Sequence, residues 1–276
     1  MIKISNLNHR YMKSNGKGVI TLEDINLNIE KGSFVSIIGH NGSGKSTFAK
    51  HLNGLIVPQS GKIEVDGIQI KNDDNIWKIR NMVGMVFQNP DNQFIGGTIE
   101  EDIAFGLENI GVPGNEMEDR IQDAALKVGM EEYLKRPPHK LSGGQKQRSA
   151  IGAVLAMQPE YIVLDEPTSM LDPKGRQEVI EVLRKRNKED KITIILITHY
   201  MDEVVYSDKV VVMDKGRIVI SGQPKEVFKQ KEMLLKIGLE LPKAALLQDH
   251  LKKIGVELGD CLLTKEELVR KIWELY

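Results

Sequence analysis

Nine consecutive residues, Gly39-His40-Asn41-Gly42-Ser43-Gly44-Lys45-Ser46-Thr47, carry the most specific chemistry in the chain. Gly39, Gly44, Lys45 and Ser46 occupy the defining positions of G-x-x-x-x-G-K-[ST], a loop that wraps backbone N–H groups around phosphates. In such a loop the lysine reaches the β- and γ-phosphates, and the serine hydroxyl serves Mg²⁺. Glycines turn the amides inward, and the start of the following helix adds positive potential. A second group is Asp165-Glu166, two carboxylates closing the apolar run Tyr161-Ile162-Val163-Leu164. The first can hold Mg²⁺, and the second can polarise a water aimed at a γ-phosphate. The third is Leu141-Ser142-Gly143-Gly144-Gln145, which reads either as another anion cradle at a helix start or as a plain N-cap after Pro137-Pro138. One nucleotide does not need two cradles from one chain. The economical arrangement has two chains facing each other, each loop closing the other's site.

These groups need elements to hold them. Phe34-Val35-Ser36-Ile37-Ile38 before the first loop reads as a buried parallel strand, and Thr47 to Leu52 after it as a helix closed by Gly54. Residues 2–11 and 19–29 read as two strands joined by a turn at Asn15-Gly16, with Ile25, Leu27 and Ile29 on one face. Gly61 to Gly67 is a short strand ending in an Asp-Gly turn, 73–82 a helix, and Gly84 to Gln88 a buried strand. Asn89 to Phe94 is loop by composition. From about 98 to 158 the pattern turns helical, with capping-box signals at Thr98/Glu101 and Asn115/Glu118. Strand and helix then alternate again. Tyr161 to Leu164 is a strand, 174–187 a helix with Val179, Ile180 and Leu183 inward, and Ile192 to Thr198 a strand ending at His199. Lys209 to Met213 and Arg217 to Ile220 flank Asp214-Lys215-Gly216 as a hairpin. Beyond Pro224 the chain reads as helical, ending in a helix capped by Thr264/Glu267 and carrying Leu268, Ile272 and Leu275. The expectation is an α/β fold: a P-loop core on a parallel sheet, an antiparallel β subdomain, a helical insertion over about 89–160, and a mainly helical extension.

The bulk properties exclude several classes of function. The chain has 276 residues, 41% hydrophobic and 28% charged, with a formal net charge of −1. That balance gives no basic field for nucleic acid or a lipid surface. Its single cysteine, Cys261, allows no intramolecular disulfide and fits a reducing compartment. The first residues lack the apolar core of a signal peptide, and the longest aliphatic run, Ile192 to Ile197, is far too short to span a bilayer. A membrane role would have to come through a partner.

Taken in order, these motifs resemble the ATP-binding cassette ATPases over residues 1–228. Gly39 to Thr47 matches the Walker A loop, Gln88 the Q-loop glutamine, Leu141 to Gln145 the signature motif and Asp165-Glu166 Walker B. Ser169-Met170-Leu171-Asp172 matches the D-loop, His199 the switch histidine, and Tyr11 the aromatic that stacks on adenine. The resemblance implies catalytic roles for Glu166, His199 and Gln88. It implies nucleotide contacts from Tyr11, Gly39, Asn41, Gly42, Ser43, Gly44, Lys45, Ser46 and Thr47, and from Ser142, Gly143, Gly144, Gln145 and Asp172. It also implies Mg²⁺ held by Ser46, Gln88 and Asp165. Val86 to Phe94, Glu101 to Gly106 and the C-terminal extension are similar to the ATPases of energy-coupling factor transporters, and Asn41 with Ser169 to Asp172 to the first of their two paralogues. That similarity implies ATP and Mg²⁺, a second ATPase subunit (a paralogue or a second copy), a transmembrane coupling protein, a membrane substrate-capture protein for a vitamin or transition-metal ion, and a place on the cytoplasmic face of the membrane.

Rival readings are the cassette of another importer or exporter, a soluble cassette of DNA repair or translation, and a nucleotide sensor that does not hydrolyse. About 94 residues without heptads separate Thr47 from Ser142, and there is one cassette. Both features fit a transport cassette better than the soluble kinds. Glu166 and His199 are both present, so nothing suggests a dead site. Two regions carry open alternatives. Phe94 either offers an aromatic to a membrane partner or tucks beneath the helical insertion. In 229–276, the apolar Leu234, Leu235, Ile237, Leu241, Leu246, Leu247 and Leu251 pack either on the chain's own core or, as favoured, on a partner.

Overall fold

The computed structural model describes residues 1–12, 18–71, 75–259 and 261–274. The chain opens with strands β1 (Ile2–Met12), β2 (Gly18–Ile29) and β3 (Phe34–Ile38), then helix α1 (Lys45–Leu52). β4 (Ser60–Val65), β5 (Ile68–Gln69), α2 (Ile76–Met82) and β6 (Val83–Val86) follow. The insertion is built on α3 (Ile99–Asn109), α4 (Gly114–Val128) and α5 (Gly143–Ala156). Next come β7 (Tyr161–Asp165), α6 (Pro173–Asp190), β8 (Thr193–Ile197), α7 (Met201–Val204), β9 (Lys209–Asp214) and β10 (Arg217–Gly222). The extension is α8 (Pro224–Lys229), α9 (Lys231–Lys236), α10 (Lys243–Lys253) and α11 (Lys265–Trp273).

Two sheets result. The first is antiparallel in the order β2-β1-β4-β5, its last corner turning at Asp66 (φ 48°) and Gly67 (φ 84°). The second runs β10-β9-β3-β8-β7-β6, parallel throughout except for the β9–β10 hairpin at its edge. The central strands read as unbroken apolar runs because both faces are covered. Val35, Ile37, Tyr161, Val163, Ile195 and Ile197 point into a core shared with α1 and the antiparallel sheet. Their neighbours Phe34, Ile162, Leu164, Ile194 and Leu196 point the other way, into the core of α3 to α6. α3 sets Ile99, Ile103 and Leu107 on that face, and Thr98 with Glu101 closes the expected capping box at its start.

Three details differ from the sequence reading, and at Phe94 one of its two alternatives is met. Asn115 does not cap α4. The helix begins at Gly114 behind Pro113, whose φ of −60° and ψ of 140° already make the cap, and Glu118 instead accepts from Gln122. The strand before Gln88 ends at Val86, because Phe87 is already 37% exposed and no longer in the ladder. Phe94 is half-buried against the insertion core, and Ile95, 69% exposed, is the free apolar side chain of that loop. The extension is split. Leu234 and Leu241 are buried with Ile38, Val210, Val212 and Phe228 in one cluster that crosses the 228/229 boundary, whereas Leu235, Leu246 and Leu247 stay exposed. The readings of Asn15-Gly16 as a turn, of a helix starting at 73, and of Leu275 on the last helix fall outside the described residues.

Candidate functional site

Sheet order assembles the site. β3, β8, β7 and β6 are consecutive neighbours, and all point the same way. The glycine loop leaves the end of β3, His199 lies just past β8, Asp165-Glu166 ends β7, and Gln88 lies just past β6. Four motifs spread over 160 residues thus stand in a row at the carboxyl edge of one sheet, where ligands of open α/β sheets bind.

The loop from Gly39 to Gly44 has no room for side chains at two of its glycines. A Cβ on Gly39 would lie 2.3 Å from the Met213 carbonyl oxygen, and one on Gly44, at φ 104°, 2.5 Å from that of Thr21. Lys45, buried at 4% exposure, donates from Nζ to the carbonyls of Gly39 (2.7 Å) and His40 (3.0 Å). Burial pulls its pKa down, and the carboxylates of Glu166 and Asp165 oppose that fall. Its ammonium therefore sits on the loop floor, with two carboxylates near and its hydrogen bonds made only to carbonyls, ready to exchange them for phosphate oxygens.

Ser46 Oγ donates to Asp165 Oδ1 at 3.0 Å. Burial raises the pKa of Asp165, Glu166 adds to the rise, and the Ser46 hydrogen bond and nearby Lys50 and Lys45 counter it. A buried carboxylate beside a hydroxyl offers hard oxygen donors to a divalent cation, so the pair fits Mg²⁺. Among the described residues no group of three or more His, Cys, Asp or Glu side chains is placed to hold a metal.

Glu166 takes a left-handed backbone (φ 50°), held by its N–H donating to the Ile197 carbonyl of the neighbouring strand at 2.9 Å. A left-handed backbone at a non-glycine residue is a strained conformation of the kind found at functional sites. Its Oε2 accepts from Gln88 Nε2 at 3.2 Å and stands 3.6 Å from His199 Nδ1. Gln88 Nε2 also donates to Ser169 Oγ at 3.3 Å. Glu166, Gln88 and His199 are therefore brought together, with Gln88 turned to this cluster through its amide nitrogen.

The signature loop lies elsewhere. Ser142 caps α5 in a capping box, accepting from the Gln145 N–H at 3.3 Å while its own N–H donates to Gln145 Oε1 at 2.9 Å. A cleft of about 460 Å³ opens here, lined by Ser142, Gly143, Gly144, Leu171 and Asp172 among others, and by none of residues 39–47. Asp172 caps α6, accepting from the Gly175 N–H at 2.9 Å. Within one chain the cleft at the signature loop therefore takes no lining residue from the glycine loop.

Tyr11 stands at the end of β1, 44% exposed, opposite Val19. Its ring meets His9 edge-on at 4.6 Å, and His9 meets His51 of α1 edge-on at 4.7 Å. His9 and His51 were not singled out in the sequence, where each is a lone histidine. The sequence marks Ser169 as a motif member and gives no sign that it partners Gln88. His40 Nε2 pairs with Asp214 Oδ1 at 2.8 Å, bracing the loop on the end of β9. No local pattern could link residues so far apart in the chain.

Residues 22–169 match the family model described as ABC transporter. The chain is 52% identical over 272 residues to the energy-coupling factor transporter ATP-binding protein EcfA1 of Caldanaerobacter subterraneus subsp. tengcongensis, covering 99% of this chain and 98% of the relative. It is 48% identical to the EcfA1 protein of Clostridium novyi, covering 100% and 98%. Among solved structures it resembles cbiO1 from Clostridium perfringens, described as part of the ABC transporter complex cbiONQ, with a TM-score of 0.77 and 42% identity over 90% of this chain and 98% of that one. It also resembles the dimeric cassette MJ0796 bound to ADP and Pi, with a TM-score of 0.73 and 32% identity over 81% and 99%.

Proposed function

This chain belongs to the ABC transporter family of ATP-binding proteins, and from that premise we propose that it is the ATP-hydrolysing subunit of an energy-coupling factor transporter, driving uptake of a vitamin or transition-metal ion. The observation that carries the reading is the separation of its two anion cradles. Lys45, Ser46, Asp165, Glu166, Gln88 and His199 gather at the sheet edge, while Ser142 to Gln145 open on a different cleft. ATP is then sandwiched between the glycine loop of one subunit and the signature loop of another, as the dimeric form of the MJ0796 relative accords with. The partner subunit is a paralogue or a second copy.

In the sandwich the loop amides and Lys45 hold the β- and γ-phosphates, and Tyr11 stacks on the adenine. Ser46 and Asp165, with Gln88 able to swing from Glu166, are the residues that would hold Mg²⁺, which when bound neutralises phosphate charge. Glu166 accepts a proton from a water whose oxygen attacks the γ-phosphorus, as the bond to the bridging oxygen breaks and ADP leaves. His199 donates to the γ-phosphate oxygens as charge develops. Catalysis is mainly positioning and electrostatics.

Among the described residues no helix is long and apolar enough to cross a membrane. Transport therefore needs membrane partners, here a coupling protein seated on the loop after Gln88 and a substrate-capture protein beside it, which would hold the chain at the cytoplasmic face. Ile95, 69% exposed, is the contact offered. The test is a pull-down of the tagged chain from detergent-solubilised membranes. It should bring a second cassette ATPase and two membrane proteins, and Ile95→Asp should release the membrane proteins while ATP hydrolysis by the isolated protein is kept. Capture of the permease of an unrelated transporter, or of none, would refute the reading.

A further inference from the structure

We propose that Arg176 and Tyr200 are positioning residues for His199, and that they tie this histidine to the first turn of α6. The inference rests on the assignment of His199 to the γ-phosphate. The imidazole of His199 is 43% exposed, and Glu166 Oε2 is 3.6 Å from its Nδ1, longer than a hydrogen bond, so that contact leaves the angle of the ring open. What fixes the plane is the ring of Tyr200, whose centroid lies 4.1 Å from that of His199 at an interplanar angle of 39°. Tyr200 in turn carries the guanidinium of Arg176, 4.1 Å from its ring centroid. A cation at that distance is held by the ring's negative face.

The backbone around the stack is anchored independently. The N–H of Tyr200 donates to Thr198 Oγ1 at 3.0 Å, and Thr198 Oγ1 donates to Glu203 Oε2 at 2.7 Å. Glu203 is 7% exposed, and its carboxylate attracts Arg176. Arg176 therefore packs on the Tyr200 ring within the field of a buried carboxylate, and the planar guanidinium suits that stacked place better than an ammonium.

The other end of the connection is the signature loop. Arg176 follows Gly175, and its N–H donates to the Asp172 carbonyl at 3.0 Å in the first turn of α6. At that turn Gly144 lies beside Gly175, and a Cβ built on it would stand in van der Waals contact, 3.5 Å from the Gly175 Cα. One helical turn thus touches the loop that serves a partner's nucleotide and, through Arg176 and Tyr200, the histidine that serves its own. A shift of the signature loop on closing the sandwich is passed to the His199 ring through rigid packing.

The test is a set of variants of the full chain, assayed for ATP hydrolysis as kcat and KM, with ATP binding and thermal melting measured alongside. Arg176→Ala and Tyr200→Ala should each lower kcat about 3- to 30-fold, the range of a cation–π contact, with ATP affinity changed less than about twofold. Tyr200→Phe keeps the ring and should stay near wild type. In a His199→Ala background, Arg176→Ala should cost nothing further, because it acts only through the histidine. An equal loss from Arg176→Ala with and without His199 would overturn the inference, as would wild-type kcat in both alanine variants or a Tyr200→Phe variant as poor as Tyr200→Ala. Undiminished hydrolysis by His199→Ala itself would instead remove the His199 assignment, and this inference with it.

Discussion

Glu166→Gln isolates the chemical step from binding. The substitution keeps the shape of a side chain whose Oε2 already accepts from Gln88 Nε2 at 3.2 Å, and the amide oxygen of glutamine can take over that acceptance. What is lost is the negative charge beside His199 and near Lys45, and with it the capacity to take a proton from water. Removing a positioned general base costs about 100- to 10,000-fold in rate, or roughly 3 to 5 kcal/mol of transition-state stabilisation. Ser46, Asp165 and the loop amides are untouched, so binding of Mg-ATP should change less than about threefold. Turnover should be followed by phosphate release, binding with a fluorescent ATP analogue, and assembly by gel filtration with and without ATP. The variant should bind, fail to turn over, and accumulate as an ATP-dependent dimer. Hydrolysis within about twofold of wild type would refute the role given to Glu166. Loss of binding in step with loss of turnover would place the residue in nucleotide binding instead.

Three further outcomes follow from the same geometry. An equal mixture of Lys45→Ala and Ser142→Arg chains, each inactive alone, should recover about one quarter of wild-type activity, since half the dimers are mixed and each mixed dimer keeps one of two sites; a mixture that stays inactive argues against sites shared between chains. Leu234→Ala, at a side chain fully buried against the cassette, should lower unfolding stability by about 2 to 5 kcal/mol in a denaturant titration, whereas Leu247→Ala, exposed, should leave it within about 0.5 kcal/mol. His51 is buried on α1, and burial lowers its pKa from 6.5 to about 4. The unfolded chain therefore binds more protons between those values, so stability should fall as pH drops from 6.5 towards 4, by up to about 3 kcal/mol from this group. His51→Leu should flatten that part of the profile, and an unchanged slope would show that other groups carry it.

Much of the site was legible in the chain because its parts are local. A phosphate loop needs glycines at fixed offsets, a lysine and a hydroxyl within nine residues, and an apolar strand must precede it. A carboxylate pair closing Tyr161 to Leu164, a serine opening a helix before two glycines, and the capping boxes at Thr98 and Thr264 are also short-range patterns, and each stands where it was read. Where a local signal competed with a stronger backbone constraint it failed, as when Pro113 preset the start of α4 ahead of Asn115.

Tertiary structure alone decided what meets what. Strand order brought His199 and Glu166 to 3.6 Å and Gln88 within reach of both Glu166 and Ser169, because β6, β7 and β8 are neighbours in the sheet though not in the chain. The same holds for His40 on Asp214 and for the contact of His9 with His51. The extension shows the limit most plainly. Leu234 and Leu235 are adjacent and chemically identical, yet one is fully buried on the cassette and the other is 56% exposed. An apolar stripe states only that a face must be covered. Which face finds a partner within the chain depends on where Ile38, Val210, Val212 and Phe228 leave a surface to receive it, and that is a property of the assembled sheet.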